Sequence, residues 1–301
     1  MFTICFLSYH SKHLLEDNIE KIISYNLNCP ILIIENSGDY AVKDYWEKNG
    51  RGLVKVFLSK ENLGFSKGMN KAVELSNTKF VFLNPADVIL SKECIVNLKE
   101  CVNSFSDFIL LAPTYEDETI FKNYDTFLFS KEKKNVKTLS ILNKFILKEV
   151  DFIDGTFIVN KEQLDNSKIM DEKIFIYFET MDMCLNFKKN LKKMYIVDNI
   201  KFTHLGGQSH IKKYDFNMNL SRNWHYNWSK FYYFKKNFGY FFALKKMWKI
   251  LIKYLIKLIF FKIKNNNKEF LLKKMEFLGL LNSILLKKSS YRPNIEKINN
   301  L

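Results

Sequence analysis

The chain has 301 residues, enough for one large α/β domain with an appendage or for two modest domains, and with 10 Gly and 4 Pro its composition is neither collagen-like nor that of a disordered chain. Its charge is segregated: residues 1–210 carry 27 Lys+Arg against 28 Asp+Glu, a net of −1, whereas residues 211–301 carry 20 against 4, a net of +16. Such a basic segment calls for an anionic partner, whether a phospholipid surface, a nucleic acid or a phosphorylated substrate. Five scattered cysteines without a C-x-x-C pair argue for a reduced, cytosolic protein with neither a disulfide framework nor structural zinc.

The apolar run FTICFLS (Phe2 to Ser8) predicts a buried strand, and Lys12 to Tyr25 has helical spacing with Leu15, Ile19, Ile22 and Ile23 on one face. ILII after Pro30 predicts a second strand, ending at the turn cluster Glu35-Asn36-Ser37-Gly38. Val54–Leu58 is a third. Gly64–Leu75 holds two glycines and then a helical pattern, and KFVFL (Lys79 to Leu83) is a fourth strand, ending at Asn84-Pro85. This alternation predicts βαβ units in a mostly parallel sheet, with ligands at the carboxyl ends of the strands. Residues 114–148, with the charge run Lys131–Lys134, read as a loop or insertion. DFIDGTFIVN (Asp151 to Asn160) reads as one further strand, Ile174–Lys188 as an apolar segment entering a helix, and Tyr195–His204 as a strand ending on histidine. No basic leader with a small-residue cleavage site opens the chain, so no signal peptide is expected. No uncharged apolar stretch reaches 18 residues, so no transmembrane helix is expected either.

Four segments carry a resemblance. Glu61-Asn62-Leu63-Gly64-Phe65-Ser66-Lys67-Gly68-Met69-Asn70 resembles the N-L-G-F-x-x-G-x-N segment of family 2 glycosyltransferases, in particular their rhamnosyltransferase-like branch. LNPADVIL (Leu83 to Leu90) resembles the L-N-P-D segment of that family, DEKIFIYFETMDMCL (Asp171 to Leu185) its D-E-x-F-F-x-Y-x-E-D-x-D-L-C segment, and FTHLGGQS (Phe202 to Ser209) its terminal histidine–glycine–serine segment. All four fall in the family's order.

The resemblance implies a GT-A-like α/β fold, a mainly parallel sheet flanked by helices, with a C-terminal helical extension. It implies a nucleotide-sugar-binding catalytic domain over residues 1–210, and the charge step and aromatic content mark residues 211–301 as a basic, aromatic, membrane-facing extension. The implied reaction moves a hexosyl or rhamnosyl group from a nucleoside-diphosphate sugar to a hydroxyl of a lipid-linked or surface-glycan acceptor, with inversion, as in polysaccharide or lipopolysaccharide synthesis. That work would be done in the cytoplasm, peripherally on the inner face of the cytoplasmic membrane.

The donor site is expected at Ser8, Tyr9, Glu35, Asn62, Gly64, Gly68, Asn70 and Asn84. Gly64 and Gly68 either let the backbone approach a ligand or only form a turn and helix start. Glu35 contacts the nucleotide base or caps a helix. A divalent metal, Mn²⁺ or Mg²⁺, is expected on Asp87 and His204, in place of the aspartate that the family carries where this chain has Ala86. The alternative for His204 is a core histidine bonded to a backbone carbonyl. The family's usual base is the second acid of a Glu-Asp pair; this chain has Glu179-Thr180, which leaves Glu179 and Asp182 to accept the acceptor's proton.

In the extension, Lys246, Lys249, Lys253, Lys257 and Lys264 follow a helical stripe beside an apolar face that includes Leu244, Trp248, Leu251, Leu255 and Leu258. This is the pattern of an in-plane interfacial helix on an anionic membrane surface, or of a helix packed on the catalytic domain. No nucleic-acid reading motif is present. Two other functions fit the sequence: a degenerate family member that binds nucleotide or glycan without turnover, given Ala86 and Thr180, and a basic membrane adaptor on an α/β scaffold.

Overall fold

The computed structural model describes residues 1–116, 122–129, 137–165, 168–205 and 214–292. The run Lys131–Lys134 and the segment Gly206–Ser209 lie outside them. The described residues divide into two compact units, one of residues 1–170 and 183–210, the other of 171–182 and 211–301.

The first unit opens with β1 (Phe2–Ser8), α1 (Lys12–Ser24), β2 (Ile31–Glu35), α2 (Tyr40–Asn49), β3 (Val54–Leu58), α3 (Gly64–Leu75) and β4 (Phe80–Pro85). These strands lie in the order β3-β2-β1-β4, every pair parallel. β1 and β2 are apolar almost throughout because both faces are covered. Phe2, Ile4 and Phe6 point into a cluster with α1 and α2, and Cys5 into a second cluster with α3.

Beyond β4 come β5 (Val88–Ile89), α4 (Lys92–Ser104), β6 (Leu110–Tyr115), β7 (Tyr124–Asp125), β8 (Thr138–Ile141), β9 (Phe145–Glu149), β10 (Phe152–Ile153), β11 (Phe157–Asn160), α5 (Glu179–Lys189) and β12 (Met194–His204). The sheet continues β4-β11-β6-β12-β9-β8 with mixed directions. α4 starts where Ser91 accepts a hydrogen bond from the Cys94 amide, and its apolar side joins the α1 face of the core. All five cysteines are buried and free, and burial pushes the Cys5, Cys94, Cys101 and Cys184 thiols up to about 12, out of reactive range.

Two sequence expectations change here. Within 114–148 the described residues hold the end of β6, β7 and the antiparallel hairpin β8–β9, whose turn uses Leu142 and Asn143 at φ of 54° and 49°. Asp151–Asn160 is two strands: β10 pairs with β7 in a separate two-stranded sheet, and β11 belongs to the main one. Gly155, at φ 75°, turns the chain between them.

In the second unit α6 (Asp215–Phe238), α7 (Tyr240–Ile263) and α8 (Asn267–Ile284) pack on one another, with a core of Phe231, Ala243, Met247 and Leu280. Gly239 turns the corner between α6 and α7 at φ 95°. The aromatic content of α6 is largely internal, for Trp224, Trp228, Phe231 and Tyr233 are buried. Phe175 stacks on the buried His225, Phe178 meets Tyr226 and Tyr233, and Ser229 donates to the Ile176 carbonyl at 2.9 Å. The segment 171–182 is therefore wrapped by α6. His225 Nε2–H donates to the Tyr291 carbonyl at 2.8 Å, its Nδ1 accepts from the Ser289 hydroxyl at 3.1 Å, and burial lowers its pKa to about 3.

α8 crosses α6 at Gly279, where an added Cβ would lie 2.1 Å from the Trp224 carbonyl oxygen. A backbone atom cannot yield as a side chain can, so Gly279→Ala is expected to destabilise the second unit by about 1–3 kcal/mol, the usual cost of overpacking. Chemical denaturation followed by tryptophan fluorescence measures this; an unchanged midpoint contradicts the close crossing.

Candidate active site

The carboxyl ends of β1, β2 and β4 lie side by side, with Ser8 opposite Glu35 and Phe6 opposite Asn84 in register. There the apolar strands give way to polar residues, as Ser8, Glu35 and Asn84 are all fully buried. Glu35 Oε1 accepts from the Ser37 amide at 2.6 Å and from the Ser37 hydroxyl. Its Oε2 has no hydrogen-bond partner, nor do the Ser8 hydroxyl, Asn36 Oδ1 or the hydroxyl of Ser66 on α3. Burial raises the Glu35 pKa against the opposing bonds from Ser37; the Ser8 hydroxyl lies near enough to oppose it too, without reaching hydrogen-bond geometry. A buried polar atom left unpaired costs about 1–3 kcal/mol and calls for an explanation. Four of them sit on adjoining residues: the Asn36 amide donates to the Ser8 carbonyl at 2.8 Å, and Asn36 Nδ2 to the Gly64 carbonyl at 3.2 Å.

Several expected donor-site residues make local contacts. Asn62 Oδ1 accepts from the Gly64 amide at 2.9 Å, and Gly64 turns there at φ 77°. A Cβ on Gly68 would lie 2.4 Å from Leu7 Cδ1, so this glycine lets α3 close onto the end of β1. Gly64 thus forms the turn into α3, and Gly68 the close contact of α3 with β1. Asn70 Oδ1 accepts from the Ile169 and Met170 amides, and its Nδ2 donates to the Met170 carbonyl, pinning that segment to α3. Asn84 Oδ1 accepts from the Thr156 hydroxyl and its Nδ2 donates to the Phe82 carbonyl at 3.2 Å. Tyr9 and His10 follow Ser8 with their rings in edge contact at 4.5 Å, and His10 holds φ 55°.

β5 pairs antiparallel with the end of β12, setting His204 opposite Val88, and the Leu205 amide donates to the Asp87 carbonyl at 3.0 Å. This short ladder brings His204 Nε2 to 3.3 Å from Asp87 Oδ2. The Asp87 hydrogen bond raises the His204 pKa in spite of burial, and the charges of Asp87 and Asp154 add to it. It is the backbone carbonyl of His204 that takes a bond, from the Tyr115 hydroxyl at 2.8 Å, while the ring faces the carboxylate. Ala86 packs into the apolar cluster with Val88 and Leu90, so an acid at that position would enter the core; the acid beside His204 is Asp87, itself buried.

Carboxylate oxygen with imidazole nitrogen suits Mn²⁺ or Mg²⁺. Among the described residues no group of three or more such side chains gathers, so a cation held here would draw its other ligands from substrate oxygens and water. A hollow of about 290 Å³ lined by Met1, Thr3, Asn28 and Leu53 lies at the amino ends of the strands, away from all these residues.

In the second unit, Glu179 and Asp182 are both buried in the first turn of α5, three residues apart. Two consecutive residues at positive φ, Tyr177 (68°) and Phe178 (67°), lead into that turn. Asp182 is held on both oxygens: Oδ2 by Lys236 Nζ at 2.6 Å and Oδ1 by Asn237 Nδ2 at 2.8 Å. Lys236 also reaches Asp171 at 2.9 Å, which accepts from the Tyr232 hydroxyl. Burial works against ionisation of Asp171, but Lys236, the Lys173 amide and Tyr232 outweigh it and lower its pKa. Lys236 went unremarked in the sequence, while Asn36 and Ser37 showed there only as part of a turn cluster and Ser66 only inside the glycine segment.

No family model matches the chain, and no curated protein matches it. Solved structures do. A mannosyltransferase from Pyrobaculum calidifontis, PcManGT, solved in complex with GDP-Man and Mn²⁺, is similar over 95% of this chain and 87% of its own, at 10% identity and a TM-score of 0.55. GalNAc-T7, solved with UDP, GalNAc and Mn²⁺, is similar over 80% of this chain at 12% identity and a TM-score of 0.52; the chain spans 52% of that protein. The fold of this chain is the GT-A-like α/β fold.

Proposed function

We propose that the chain is an inverting glycosyltransferase of the family 2 type, acting on a nucleoside-diphosphate sugar. The observation that supports this most is the cluster of unpaired buried oxygens on Ser8, Glu35, Asn36 and Ser66 at the carboxyl ends of parallel strands, where open α/β sheets bind nucleotides. Asp87 and His204 are the residues that would hold Mn²⁺ or Mg²⁺ there. Such an ion neutralises charge on the diphosphate as the glycosidic bond breaks. The buried, raised-pKa Glu35 and the Ser8 hydroxyl are suited to orient the base or ribose through hydrogen bonds. The acceptor of this reading is a hydroxyl on a lipid-linked or surface glycan, and the transferred group is hexosyl or rhamnosyl. The transition state is oxocarbenium-like, as in other glycosyl chemistry.

An inverting transfer needs one base to take the acceptor's proton. Of the two acids of the α5 turn, we assign this role to Glu179, its first residue. Asp182 carries a cation on one oxygen and an amide on the other, so its lone pairs are engaged. In this reading Asp182 and Lys236 fix the helix start from which Glu179 projects.

Two results test these roles. Mn²⁺ binding in the presence of UDP or GDP, followed by the loss of the free-ion paramagnetic resonance signal, is expected to weaken at least about tenfold in Asp87→Ala and His204→Ala; affinities equal to the parent's would remove the metal assignment. With the nucleotide sugar that binds best, Glu179→Gln is expected to lower release of the nucleoside diphosphate about 10²-fold or more with donor affinity nearly unchanged. Asp182→Asn is expected to lower the unfolding midpoint more than turnover. Parental turnover in Glu179→Gln would send the proton elsewhere, and Asp154 would be examined next.

A further inference from the structure

α7 carries three distinct faces. One packs inward through Ala243, Met247, Leu251 and Tyr254 against α6 and α8. A second holds the lysines Lys246, Lys249, Lys253 and Lys257. The third is exposed and mainly apolar: Phe241, Trp248, Ile252, Ile256, Ile259 and Ile263 recur along roughly 80° of arc at about 100° per residue, with Lys245 within the same arc, and Trp248 is 45% and Ile263 76% exposed. The sequence places one apolar face on this helix; the structure splits it, turning Leu244 and Leu251 inward and leaving a separate outer stripe. The 24 residues of α7 extend the stripe over about 36 Å. No helix of the described residues is long and apolar enough to cross a membrane.

We infer that this outer stripe is a docking surface for an anionic lipid bilayer, with α7 lying in the plane of the headgroups. Charge decides between lipid and a second copy of the chain. α7 has six lysines and no acidic residue, and among the described residues none of those lysines forms an ion pair. Face-to-face association of two copies would bring these rows together without counter-charge. Anionic headgroups supply it, and lysines beside the stripe can rest their stems on apolar surface while the ammonium groups reach the phosphates. Lys246, Lys249 and Lys264 already lie over the rings of Phe242, Trp248 and Phe260. The inference does not depend on the donor chemistry.

Trp248 makes the test specific, since Trp46, Trp224 and Trp228 are buried. The full chain is mixed with vesicles of phosphatidylcholine alone or of equal phosphatidylcholine and phosphatidylglycerol. It is expected to float with the anionic vesicles only, with a blue shift of tryptophan emission. Trp248→Phe should still float but lose the shift. Changing Lys246, Lys249, Lys253 and Lys257 together to Gln should weaken partitioning at least about tenfold, and Ile252→Glu with Ile256→Glu and Ile259→Glu should abolish it, both with parental circular dichroism. The inference is overturned if the anionic vesicles do not carry the chain, if the shift persists in Trp248→Phe, or if the triple variant floats as well as the parent. It is equally overturned if a lipid-free dimer of the parent dissociates in the triple variant, which would assign the stripe to a second copy.

Discussion

A parallel sheet covered on both faces can display polar side chains only where its strands end, and this constraint organises the first unit. β1, β2 and β4 are apolar until their last residues and then present Ser8, Glu35 and Asn84 together. Holding a carboxylate in that place is costly, which is why its burial raises the Glu35 pKa. The fold tolerates the cost because Ser37 satisfies one oxygen locally. What is left on Glu35, Ser8, Asn36 and Ser66 is a set of hydrogen-bonding atoms fixed by packing and oriented before any ligand arrives.

The acid–histidine pair depends on the same economy of backbone. β5 is only two residues long, yet pairing it with the end of β12 is what sets His204 beside Asp87, far apart in sequence. In the second unit the corresponding device is Lys236, which gathers Asp171 and Asp182 from the two ends of the segment 171–182. Buried charge of this kind adds little net stability but strongly penalises any other arrangement, so it fixes geometry. The aromatic side chains of α6 complete the same task by packing on Phe175 and Phe178.

The parts of this architecture that follow period and punctuation were legible in the sequence. β1 to β4, α1 and α3 showed as apolar runs and helical spacing separated by turn clusters, whereas α2 did not show, and the polar residues at the strand ends were visible as well. The β8–β9 hairpin did not show, because its turn holds Leu142 and Asn143 at positive φ without the glycine that usually marks such a turn. The division of Asp151–Asn160 was hidden for a related reason: alternation looks the same whether one sheet or two receives the strand. At the site, residue types were legible and partners were not. Nothing local in the sequence says that Asn70 grips Ile169 and Met170, that Asn84 is tied to Thr156, or that Lys236 holds Asp182, since each is a contact between distant segments. The lysine spacing of α7 was visible, but which apolar residues pack and which face outward depends on where α6 and α8 lie.

The central claim is that the strand-end cluster and the Asp87–His204 pair receive a nucleotide sugar. A ligand that binds only the native state raises its apparent stability, so a thermal-shift screen of nucleoside-diphosphate sugars, each with and without Mn²⁺, tests it most directly. The account predicts that at least one donor raises the melting temperature, more so with Mn²⁺, and that the free sugars do not. If no nucleoside-diphosphate sugar shifts the transition under either condition, the account is contradicted and the GT-A-like domain serves as a scaffold.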